Sequence, residues 1–99
     1  MITQQMQQII ANYMATQPIK KAWVFGSFAR DEEKPESDVD LLVEFDHSEP
    51  IGLFRYIGMR LAIEDLLGRK VDLVEDGTLR SAAAVTANRD KKMIYERAY

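Results

Sequence analysis

GSFARDEEKPESDVDLLVEF, residues 26–45, is the stretch on which the reading of the fold turns. Its second half, Val39 to Phe45, is rich in β-branched and large apolar residues and reads as a strand. A strand's period of two puts Asp38 and Asp40 on one face and Val39, Leu41 and Val43 on the other. The first half opens with Gly26-Ser27, directly after the apolar run Ala22 to Phe25, so a strand ends where a short helix begins. Such a start leaves backbone N–H groups free to face an anion. Glycine permits close approach and a serine hydroxyl adds a donor, so Gly26 and Ser27 read as a phosphate cradle. Ser27 also reads as a plain N-cap, and the two roles can coexist. Arg30, one helical turn on, is placed either to reach a phosphate chain or to pair with Asp31, Glu33 or Asp38.

Outward from this stretch the elements alternate. Ile2, Met6, Ile9 and Tyr13 recur at helical spacing, with Pro18 as a stop signal. Lys70 to Val74 predicts a third strand. The helix before it is expected to be capped by Ser48, to tolerate Pro50 in its first turn, and to end at Gly68. Its inward stripe would be Leu53, Ile57, Leu61 and Leu66 or Leu67. A last helix is expected from a Thr78 cap through residues 81–88. The order α-β-α-β-α-β-α predicts an α/β (α+β) domain of two or three layers on a small sheet, with residues 1–99 as one unit. No repeat, low-complexity stretch or linker interrupts it.

Composition narrows the chemistry. Ninety-nine residues, 46% of them hydrophobic, suffice for one modest core. With no cysteine, any metal must bind oxygen or imidazole. The N-terminal residues lack a leader pattern and no run reaches membrane-spanning length, so a soluble, cytoplasmic chain with no membrane contact is expected. Net charge is only −3, yet Ser27 to Glu49 holds nine acids against two bases. That block disfavours direct nucleic-acid binding and is either a solvated loop or an attractor of metal. Asp72, between Val71 and Leu73, would be costly to bury unpaired. If its strand lies beside the Asp38/Asp40 strand, three carboxylates converge. Hard oxygen ligands of that kind suit Mg²⁺ or Mn²⁺, one ion for a triphosphate and one for an attacking hydroxyl. Asp38 and Asp40 alone would fit a solvated strand edge equally well, and the conjunction with Gly26, Ser27 and Asp72 favours a metal site. His47 reads as a surface residue, and Trp23, Phe25 and Phe45 read as core.

Gly26-Ser27, ten residues, Asp38-Val39-Asp40 and a later Asp72 together resemble the signature of the DNA polymerase beta-like nucleotidyltransferase superfamily. GSFAR, SDVDLLV and the short length are similar to its minimal nucleotidyltransferases. The resemblance implies the nucleotidyltransferase fold, a mixed sheet flanked by helices. It also implies Mg²⁺-dependent transfer of a nucleoside monophosphate, with Asp38, Asp40 and Asp72 as catalytic metal ligands. Many minimal members are antitoxins that use ATP to adenylylate a tyrosine of a helical HEPN-domain ribonuclease toxin. The resulting expectation is a protein adenylyltransferase in a type VII-like toxin–antitoxin pair, hetero-oligomeric with its partner. Two alternatives are an inactive module that neutralises a toxin by covering it, and the catalytic half of a small-molecule nucleotidyltransferase. The sequence departs from the family at Asp31, where glycine often follows the arginine.

Overall fold

The computed structural model describes residues 2–46, 48–75 and 89–97. Helix α1 (Gln4–Met14) starts at Thr3, whose hydroxyl accepts the Met6 N–H at 3.1 Å. It buries Ile10 and Met14 completely, and Met6 and Tyr13 rest on the rim of the core together with Ile2, which precedes the helix. The buried centre of its face is thus shifted slightly from the predicted stripe. Strand β1 (Ile19–Phe25) follows, then the one-turn helix α2 (Gly26–Ala29), strand β2 (Val39–Phe45), helix α3 (Leu53–Leu67), strand β3 (Val71–Glu75) and strand β4 (Lys92–Glu96). β2 has the bounds its composition predicts, while β1 begins three residues before Ala22 because paired backbone carries the two lysines into the ladder.

The sheet order is β3-β2-β1-β4. β1 runs antiparallel to both β2 and β4, and β2 pairs in parallel with β3 through the α3 crossover, so the sheet is mixed. One core cluster joins Ile10 and Met14 of α1 and Met59 and Ile63 of α3 to the strand residues Ala22, Val24, Leu41, Val43 and Leu73. Both long helices therefore cover the same face. The opposite face carries Asp40, Leu42, Asp72 and Trp23 by alternation, with the Lys91 ammonium 4.3 Å above the Trp23 ring. Among the described residues the layers number two, and no helix is long and apolar enough to cross a membrane.

Three expectations need correction. The described chain closes on a strand, β4, that the predicted element order lacks. Only Ile94 of its five residues is buried, so it shows no alternating pattern and is held by backbone pairing with β1. Helix α3 is capped by Gly52 rather than Ser48, whose N–H instead donates to Asp46 Oδ1 at 3.0 Å, and Pro50 stays outside the helix. The inward face of α3 is also rotated: Met59 and Ile63 are buried and Leu67 packs against the core, whereas Leu53, Leu61 and Leu66 are 70%, 50% and 52% exposed. Apolar residues on both sides of this helix give no single stripe, so packing against β3 decides which side is buried. Gly68 does end the helix in the left-handed conformation (φ 65°), donating its N–H to the Glu64 carbonyl. His47 and the helix expected from Thr78 lie outside the described residues.

The rotated face is directly measurable by urea unfolding. Ile63→Ala should lower stability by about 2–5 kcal/mol, whereas Leu61→Ala should stay within about 0.5 kcal/mol of the parent. Equal losses would restore the predicted stripe.

Candidate active site

Register builds the site. Asp40 and Asp72 are direct partners across the parallel β2/β3 pair and point away from α1 and α3. Asp38 precedes β2 by one residue. On the other side of Asp40, antiparallel pairing sets Phe25 opposite it, so the chain leaving β1 turns at Gly26 directly against its carboxylate. Gly26 adopts φ +70°, and a Cβ built there would stand 2.1 Å from Asp40 Oδ2. Only glycine meets both conditions. Ser27 lies inside the α2 turn rather than at its N-cap, which is Phe25, and Phe25 supplies no side-chain cap.

The electrostatics follow from that crowding. Burial, then the charges of Asp72 and Asp38, push the Asp40 carboxyl from 3.8 up to about 6, and Arg30 only partly offsets them. All three predicted carboxylates therefore act on one spot. As placed, no three carboxylate or imidazole groups among the described residues stand so that together they could hold a metal ion. The donor set still suits a hard divalent ion, because the burial and like charge that raise Asp40 are what a cation between these oxygens would offset.

Arg30 is engaged by other acids than those its sequence position suggests. Its guanidinium pairs with Glu32 at 3.2 Å and with Asp90 at 3.3 Å, while its charge still acts on Asp40. Asp90 is 14% exposed and is also held by Arg89. Sequence reading misses this partner because it lies sixty positions from Arg30. Asp31 takes φ 57°, so the position where the resembled family often has glycine is a left-handed turn, which aspartate tolerates better than most residues. A concavity of about 360 Å³ lies at the far end of β2, lined in part by Phe45, Ile51, Tyr56 and Glu75. It contains none of the predicted site residues.

The sequence profile of the nucleotidyltransferase domain family matches residues 8–98. Protein adenylyltransferase MntA of Thermococcus cleftensis is 42% identical over 72 residues, covering 73% of this chain and 71% of the relative. Further relatives from Methanocaldococcus jannaschii carry provisional names as protein adenylyltransferases, and the chain spans 56% to 69% of their length. A solved structure provisionally assigned as a minimal nucleotidyltransferase is 31% identical, with a TM-score of 0.72 and 87% and 86% of the two chains covered. Two further structures are alike in fold at 15% identity. One is a toxin–antitoxin solved with AMP-PNP, at TM-score 0.78 and 93% and 74% coverage. The other holds a tri-AMPylated Shewanella oneidensis HEPN toxin in complex with MNT antitoxin, at TM-score 0.63 and 92% and 73% coverage.

The carboxylate crowding has a signed pH consequence. Between the ordinary value of 3.8 and about 6, the folded chain holds a proton that the unfolded chain has released. Asp40 therefore favours folding at low pH, and its contribution is lost as pH rises through about 6. In metal-free buffer the melting midpoint of Asp40→Asn should gain on the parent's across that window and exceed it at pH 7. Parallel pH profiles would contradict the clustering.

Proposed function

The chain belongs to the nucleotidyltransferase domain family, and on that premise we propose that it transfers AMP from ATP to a tyrosine hydroxyl of a helical HEPN toxin. The observation that carries this reading is the Asp40–Asp72 register pair, flanked by Asp38 on one side and by Gly26 packed on the Asp40 carboxylate on the other. Attack of the hydroxyl oxygen on the α-phosphorus breaks its bond to the β-phosphate and releases pyrophosphate, which needs charge neutralisation of the triphosphate and removal of the hydroxyl proton. The carboxylates and the glycine turn supply groups for both. The names of the adenylyltransferase relatives and the AMPylated HEPN toxin in the fold-related complex support AMP as the group and a protein as the acceptor.

In this reading Asp38, Asp40 and Asp72 hold Mg²⁺ or Mn²⁺, which when bound neutralises the phosphates and lowers the pKa of the acceptor hydroxyl. The rest falls to the chain. Gly26 lets the phosphate chain approach backbone, and the Ser27 hydroxyl, which has no partner among the described residues, donates to a phosphate oxygen. Arg30 exchanges Glu32 or Asp90 for a phosphate oxygen. Asp72, half of the register pair and exposed on the face opposite α1 and α3, accepts the acceptor's proton. Asp38 and Asp72 are exposed, so a protein that brings its own surface to them suits the site better than a small molecule. In this reading the chain works in the cytoplasm.

The test is labelled ATP with Mg²⁺ and a HEPN partner. Label should appear on a partner tyrosine, and Asp38→Asn or Asp40→Asn should abolish it without unfolding the chain. Asp72→Asn should keep ATP–Mg²⁺ affinity within about tenfold, or ~1.4 kcal/mol, yet lose most transfer. Neutralisation of the partner without label would instead establish a covering module, and label on a small molecule would establish the half-enzyme.

A further inference from the structure

Asp38 is exposed and makes no hydrogen bond of its own among the described residues, so its place depends wholly on the backbone on either side. Both sides are tied to the turn between α3 and β3. The Arg69 guanidinium donates through Nη1 to the Pro35 carbonyl at 3.2 Å and to the Ser37 carbonyl at 3.1 Å. The next residue, Lys70, accepts the Val39 N–H on its carbonyl at 3.0 Å. Asp38 is therefore the single residue between two pinned neighbours.

The same guanidinium lies over the Phe28 ring, 5.1 Å from its centroid, and Phe28 is the buried anchor of α2. One side chain thus joins the turn that follows Gly26 to the loop that precedes Asp38. Its aim has local causes. Gly68 turns the chain out of α3 in the left-handed conformation. Glu64 Oε2 accepts the Val71 N–H at 2.9 Å, fixing the start of β3 immediately beyond Arg69. The loop is also closed from within, since Ser37 Oγ accepts the Lys34 N–H at 2.8 Å and the Ser37 N–H donates to the Lys34 carbonyl. What this inner turn does not supply is attachment to the body of the domain, and Arg69 does.

From this geometry we infer that Arg69 is a positioning residue for Asp38, holding it in register with Asp40 and Asp72 so that the carboxylates can share a cation. It touches neither nucleotide nor acceptor and acts through the backbone of residues 35 to 39. The inference rests on the reading of Asp38 as a metal ligand. Its requirements are donor groups at the end of a long stem. Methionine keeps much of the stem and removes the donors, while lysine keeps charge and donors on a shorter reach.

The test uses the full chain and Mn²⁺ alone, without nucleotide, with amide hydrogen exchange as a second readout. Arg69→Met should weaken Mn²⁺ binding about 10–100-fold, the range for loss of a group that orients a metal ligand, and speed exchange at Ser37 and Val39 but not at Leu41 to Val43. Arg69→Lys should fall between Met and the parent in both measurements, and it carries the comparison if the Met variant does not fold. Unchanged Mn²⁺ affinity in the variants would overturn the inference. So would exchange that rises equally through Leu41 to Val43, which would make Arg69 a general folding residue. A parent chain that binds no Mn²⁺ would instead overturn the metal reading, and this inference with it.

Discussion

Two like charges held side by side on neighbouring parallel strands are the constraint around which the domain is organised. Asp40 and Asp72 face each other across β2 and β3, and the cost appears in the Asp40 carboxyl, pushed up to about 6 by burial and by its acidic neighbours. Nothing in the stability of a small sheet calls for such a pair. Hydrophobic residues at both positions would let β2 and β3 pack without repulsion. The surrounding structure is arranged to keep the pair in place. Leu41 and Leu73 alternate with the acids and anchor both strands in the core. The glycine turn against Asp40 excludes any side chain from the space beside it, and the α3–β3 turn grips the chain leading into Asp38. A fold that maintains an unfavourable electrostatic arrangement at several points is suited to a cation and an anionic substrate.

Much of this was legible in the sequence because it is written in short-range patterns. The alternation from Asp38 to Phe45 gives both the strand and the face of its acids, and Asp72 between two apolar residues gives the same information for β3. The glycine that ends α3 is likewise a local signal. What escaped depends on contacts distant in sequence. Strand β4 draws its order from pairing with β1 and carries one buried side chain, so no periodicity announces it. Helix α3 is apolar on two sides, and sequence reading chose the side with more leucines, while the core takes Met59 and Ile63. Asp90 beneath Arg30 and Arg69 above Phe28 are single charged residues whose partners lie 60 and 41 positions away. An arginine after a helix-ending glycine has no chemical meaning until the turn is folded.

The distribution of surface also bears on how so small a domain could act. Both long helices lie on one face, and the acids project from the other, where Asp38 and Asp72 are exposed while Leu42 and Trp23 on the same face are buried. Catalysis at exposed carboxylates requires the acceptor to exclude water itself. The leucines and Phe54 left on the outer side of α3 are a separate matter, since they lie on the helical layer and not on the acidic face. Fold and chemistry are thus divided between the two faces of one four-stranded sheet.

The central claim is that Asp38, Asp40 and Asp72 form one cation site on the face opposite the helices. Anomalous scattering from crystals grown with Mn²⁺ and a non-hydrolysable ATP analogue tests it most directly. A manganese peak beside these carboxylates, with the phosphates near Gly26 and Ser27, is the expected result. A peak elsewhere on the chain, or a bound nucleotide with no metal among these residues, would contradict it.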